Sequence, residues 1–119
     1  MKYLLLIYEN EKSLAGLSEA EQGKIFQEYM DYTARIRKNG NYVAGEALQP
    51  VATATTVRVK NGKTLTTDGP FAETREQLGG FYMVEAKNLD EAIALASGIP
   101  AARTGSIEVR PILPTPRPD

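Results

Sequence analysis

Tyr3-Leu4-Leu5-Leu6-Ile7-Tyr8 is six apolar residues in a row. A strand with one wet face alternates apolar and polar residues; a run with no alternation reads as a strand buried on both faces. Phe81-Tyr82-Met83-Val84-Glu85-Ala86 has the same character, broken only by Glu85. Two such strands belong at the centre of a sheet, and the elements around them fix what kind.

Polar Glu9-Asn10-Glu11-Lys12 ends the first run and reads as a loop. Ser18 and Glu21 then form a capping box, with Leu17 in the place of a hydrophobic staple. Phe26, Tyr29, Met30, Thr33 and Ile36 follow at helical spacing, and Lys38-Asn39-Gly40 gives a positive last turn and a stop. The helix is predicted over about 18–39, with Phe26, Tyr29 and Tyr32 packing in the core. Asn41 to Leu48 reads as a strand weakened by Gly45. Thr53–Val59 and Lys63–Thr67 flank Asn61-Gly62, a strong signal for a hairpin, here solvated and protruding. Asp68-Gly69-Pro70-Phe71 is a turn, and Ala72 to Leu78 reads as a short helical piece. Asn88 caps a second helix with Glu91 three residues on; Ala92, Ile93, Leu95 and Ala96 form its buried face, and Gly98 and Pro100 end it. Ser106 to Ile112 alternates as a last strand. Residues 1–113 form one α+β domain, and 114–119 are a Pro-rich tail, mobile or draped over a neighbour.

The order strand–helix–strand, hairpin, strand–helix–strand is a ferredoxin-like split βαβ with an inserted β-hairpin. The two apolar strands are then central, and those weakened by Gly45 and Pro111 are edges. Two helices cover one face of this sheet. The other would leave an apolar patch of roughly several hundred Å2, which monomers seldom tolerate. A second copy packed sheet to sheet removes it, giving a homodimer of the dimeric α+β barrel type.

The charged strand residues locate a candidate site. Ile107 and Val109 face the helices, so Glu108 and Arg110 face the second sheet. Either they and Glu85 form an ion-pair network at the interface, or they line a wet cleft. In the cleft reading, Arg110 or Arg75 holds an anionic group. Tyr82 or Phe81 borders the ligand, Glu85 lies in the wall, and Glu108 or Asp68 moves a proton. Asp68 is also an ordinary turn residue. Glu9 and Glu11 read as solvated loop carboxylates rather than a cation site.

Of 119 residues, 42% are hydrophobic and 24% charged, ordinary for a globular chain. The net charge of −1, with 14 scattered Lys and Arg, gives no reason to expect direct nucleic-acid or membrane-surface binding. The absence of Cys and His excludes thiol chemistry, Cys/His zinc sites and histidine acid–base work. No metal or cofactor is expected. The apolar start is too short to span a membrane and lacks a signal-peptide cleavage pattern, so the cytoplasm is the default.

The stretches Asp68-Gly69-Pro70-Phe71-Ala72-Glu73-Thr74, Gln77-Leu78-Gly79-Gly80-Phe81-Tyr82, Asp90-Glu91-Ala92 and Ile107-Glu108-Val109-Arg110-Pro111, with the opening Met1 to Tyr8, resemble the DGPF branch of the YCII-related proteins. The resemblance covers nearly the whole chain and implies a ferredoxin-like protomer in a dimeric α+β barrel. Some relatives in the wider group carry a His–Asp pair proposed as an active site, but this chain has no His. The resemblance also implies association with a sigma factor. Three functions follow, in this order: binding of a small anionic or aromatic ligand, catalysis on a small organic substrate through carboxylate and Arg, and a partner module using the hairpin or tail.

Overall fold

A computed structural model describes residues 1–116 of the chain. Strand β1 (Lys2–Glu9) leads into a short helix α1 (Glu11–Ala15) and a long helix α2 (Glu19–Lys38). Strand β2 (Tyr42–Ala47) precedes a hairpin of β3 (Thr55–Lys60) and β4 (Lys63–Asp68). Strand β5 (Gln77–Glu85), helix α3 (Leu89–Ser97) and strand β6 (Ser106–Pro111) complete the chain. The fold is α+β: β2-β5-β1-β6 form one antiparallel sheet, and β3-β4 form a separate two-stranded one. As the apolar pattern predicts, β1 and β5 are central.

Alternation assigns the two faces. Tyr3, Leu5, Ile7, Tyr82 and Val84 point to the helices and form the core with Tyr32 and Ile36 of α2 and Ala92 and Ala96 of α3. Leu5 and Val84 are completely buried there. Leu4, Leu6, Phe81 and Met83 point the other way and are only half-buried. Within one chain, therefore, β1 and β5 are fully buried on one face rather than two.

The caps act as the sequence predicts. Ser18 Oγ accepts from the Glu21 N–H at 3.1 Å, and Glu21 Oε1 accepts from the Ser18 N–H at 3.1 Å. Asn88 Oδ1 accepts from the Glu91 N–H at 2.9 Å. At the hairpin, Asn61 and Gly62 have φ of +52° and +76°, as a two-residue turn between right-twisted strands requires.

Five local readings need correction. Residues 9–12 are not a loop: Asn10 Oδ1 accepts from the Lys12 and Ser13 N–H groups at 2.9 and 3.2 Å and starts α1. Residues 72–78 form no helix. Gln77 and Leu78 pair with Glu9 and Tyr8 in the sheet, and Gln77 donates to the Thr74 carbonyl at 2.6 Å and accepts from the Glu11 N–H at 2.9 Å. Leu17 has no apolar staple partner, because that position is Gln22, whose side chain donates to the Leu17 carbonyl at 3.1 Å. Ile93 is half-exposed; the inward stripe of α3 runs Ala92, Leu95, Ala96 and on to Ile99, and position 93 lies off it. Phe26 is 57% exposed rather than core, because it borders a groove between α2 and the sheet. The predicted tail at 114–119 falls partly outside the described residues.

Candidate functional site

On the outer face of the sheet, two rows of side chains cross all four strands: Ala44–Met83–Leu4–Arg110 and Glu46–Phe81–Leu6–Glu108. The middle of each row is apolar, and three of the four ends, Glu46, Glu108 and Arg110, carry charge. Glu108 and Arg110 face outward, as predicted, and pair with each other at 3.1 Å along β6. Tyr8 Oη lies 3.5 Å from Glu108 Oε1. Glu85, also outward, pairs with the chain's amino terminus at 3.6 Å. These charges neutralise one another at the edges of the apolar strip.

The other candidates lie off these two rows. Asp68 ends β4 and is exposed, and Arg75 is exposed on the connection before β5. Tyr82 does not border the outer face. Its ring points to the helices, packs edge-on against Tyr32 at 5.2 Å between centroids, and shares a 2.7 Å hydrogen bond with Thr33. Tyr82 follows Phe81 in a strand, so only one of the two can face each side.

The concave feature is on the helix side. A groove of about 430 Å3 runs between α2 and the β2–β5 edge of the sheet. Phe26, Tyr29, Met30 and Thr33 of α2 form one wall; Tyr42, Tyr82, Ile7 and Leu14 line the rest. This is why Phe26 and Met30 are more than half exposed although they lie on the face of α2 that overhangs the sheet. The floor is bare backbone at Gly45, Gly79 and Gly80. A Cβ at Gly80 would stand 2.8 Å from the Glu46 carbonyl oxygen, and one at Gly45 would stand 2.9 Å from the Tyr82 ring. These glycines let β2 and β5 approach and keep the floor clear. A bulge contributes too: Ile7 pairs with Gly80 and Tyr8 with Leu78, leaving Gly79 as the extra residue.

A second cavity of similar size adjoins the first, with Glu11, Leu17, Gln22, Ile25, Leu48 and Gln77 in its lining. Both cavities share Glu9, Leu14 and Gly79. Glu9 thus stands at their junction. Burial raises its pKa, and the neighbouring Glu76 carboxylate raises it further. The hydroxyl of Tyr29 is also held to its protonated form, by burial first and then by the Glu9 charge. Burial has the same effect on Tyr82, opposed by its hydrogen bond to Thr33. The groove is therefore an aromatic cleft with hydroxyls and one poorly solvated carboxylate. It can hold a mostly apolar molecule and meet one polar group on it.

Glu9 was readable from the sequence. Tyr3, Leu5, Ile7 and Glu9 share one parity, which carries the carboxylate onto the helix face. Its polar neighbours Asn10, Glu11 and Lys12 hide this by making the segment look like a loop. The groove itself had no local signal, because its floor is made by strands far apart in sequence.

The chain matches the YCII-related domain over residues 1–116. It is also similar to an uncharacterised protein of Rhizobium meliloti (strain 1021), 36% identical over 114 residues that span 94% of this chain and 92% of that one. Among the described residues, no helix is long and apolar enough to cross a membrane. By a match that runs through every strand and helix of the fold, the chain belongs to the YCII-related family.

Proposed function

We propose that this protein binds a small, largely apolar molecule in the groove between α2 and the sheet. One observation carries the reading: the groove is walled by aromatic side chains, yet floored by glycines, at two of which, Gly45 and Gly80, a Cβ would press on the Tyr82 ring or on backbone. Apolar walls beside an unfilled floor are costly for a chain that gains nothing from them. This moves the ligand from the outer-face cleft of the sequence reading to the helix side.

The test uses Nile red, a neutral apolar dye, with a groove-filling variant. Ala47 lines the groove at its rim and is exposed, so Ala47→Trp should block entry without opening the core. The wild type should raise and blue-shift the dye emission with one site per chain, and the variant should lose that signal while keeping its melting temperature. Equal binding by both proteins, or none by the wild type, would overturn the reading.

The outer face supports a second element of the proposal. Leu4, Leu6, Phe81 and Met83 form an apolar strip across it, the pattern of a sheet covered by another sheet. In this reading the strand order β2-β5-β1-β6 is that of a ferredoxin-like split βαβ. Two copies then pack sheet to sheet as a dimeric α+β barrel, and the grooves stay open on the outside. The Asp68-Gly69-Pro70-Phe71 stretch supports reading the chain as one of the DGPF branch of its family. Glu108, Arg110 and Glu85 then serve the interface rim rather than a ligand.

A further inference from the structure

We infer that the groove takes a small organic cation, an amine with an apolar body whose ammonium group pairs with Glu9. The inference rests on the groove being a binding site and adds the charge of what it binds.

Most carboxylates near the folded core have partners, and Glu46, which also lines the groove, is exposed to solvent. Glu108 pairs with Arg110, Glu28 with Arg103 at 2.9 Å, and Glu85 with the amino terminus. Glu11 accepts from the Val51 N–H at 3.1 Å, Glu21 closes its capping box, and Glu91 accepts from Asn41 at 3.3 Å. Glu76 accepts from the Ser106 hydroxyl at 2.8 Å. Glu9 differs. Among the described residues no ion pair involves it. Its close charged neighbour is Glu76, of like sign, and from α2 it faces the Tyr29 hydroxyl. Arg103, which also acts on Tyr29, is engaged by Glu28.

A half-buried carboxylate with no countercharge is stabilised most by a ligand that brings one. Among the described residues no Lys or Arg lines either cavity, so the groove offers an anion no direct partner and Glu9 repels it. A neutral ligand would bury Glu9 further and leave it unpaired. A metal ion fits no better, since no group of three ligating carboxylates exists among the described residues. The remaining walls are what an organic cation uses. Phe26, Tyr29 and Tyr82 present aromatic surface, which attracts positive charge through the ring quadrupole and packs against hydrocarbon; the Tyr42 ring already carries the Arg37 guanidinium at 4.1 Å.

Calorimetric titration of the full chain at neutral pH with phenylpropylamine, phenylpropanol and phenylpropanoic acid separates the possibilities, since the three share one body and differ in charge. The amine should bind tightest and the acid weakest. Glu9→Gln should weaken the amine about tenfold or more while leaving the alcohol nearly unchanged. In the unaltered protein, the amine alone should lose affinity as pH falls and Glu9 takes up a proton, which keeps the test decisive even if the variant does not fold. Alcohol or acid binding as tight as the amine, or an amine affinity indifferent to Glu9→Gln and to acid, would overturn the cation assignment while leaving the groove a binding site. Failure of all three compounds to bind would remove both.

Discussion

Glu9 carries a charge where burial and Glu76 both disfavour it, and this has a consequence for stability without any ligand. Its pKa in the folded chain lies above the ordinary 4.5, which is close to its value in the unfolded chain. At neutral pH both states are ionised, and the folded state bears the desolvation and the repulsion. As pH falls through the folded value, the folded state takes its proton first, so the contribution of Glu9 to stability rises until the unfolded value has been passed. Glu9→Gln removes the charge at all pH values. It should therefore raise the melting temperature at neutral pH, and the gain should shrink on acidification toward the ordinary glutamate value. Thermal melts of both proteins across that range check it. A variant less stable than the parent at neutral pH would mean that Glu9 has a countercharge in the fold.

At the scale of elements, the hairpin of β3 and β4 stands apart. Its ladder is its own, closed at the base by the 2.7 Å bond from the Gly69 N–H to the Ala54 carbonyl and the 2.9 Å bond from Thr56 Oγ1 to the Gly69 carbonyl. Val57, Val59 and Leu65 are 60%, 70% and 47% exposed, so little apolar burial supports it, and an isolated two-stranded hairpin is only marginally stable in water. Gly62 sits at φ +76°, where a β-branched side chain costs about 1–2 kcal/mol. Gly62→Val should speed amide exchange throughout β3 and β4 and leave the urea midpoint of the whole chain unchanged. A lowered midpoint would show that the hairpin is coupled to the core. The elements legible in the sequence are those whose signals are local: the Ser18–Glu21 box, the Asn88 cap, the Asn61-Gly62 turn and the apolar runs of β1 and β5. Those misread depend on distant partners. Gln77 joins a strand because Glu9 and Thr74 meet it, and Phe26 stays exposed because glycines of β2 and β5 hollow the surface below.

At the scale of the whole molecule, the chain is broad and thin. It extends 48 × 46 × 22 Å with a radius of gyration of 16.5 Å, where a compact chain of this length reaches about 13–14 Å. A thin body with one covered sheet face leaves the other face free, as the proposed pairing through the outer face requires. Leu6 is the residue that decides this. It lies mid-row between Phe81 and Glu108, central to the strip yet outside the helix-side core. Leu6→Lys would place an ammonium group at the middle of a sheet-to-sheet interface, where burying it without a partner is strongly unfavourable. In the separated chain the same group can reach Glu108 on the neighbouring strand, a cross-strand pair that contributes about 0.2–1 kcal/mol. The substitution should therefore break the dimer and spare the fold. Light scattering at micromolar concentration should give twice the chain mass for the parent and the chain mass for the variant, with similar circular dichroism. A monomeric parent would refute the sheet-to-sheet pairing. A dimeric variant would place the interface elsewhere and leave the strip of Leu4, Leu6, Phe81 and Met83 to be covered by something other than a second copy.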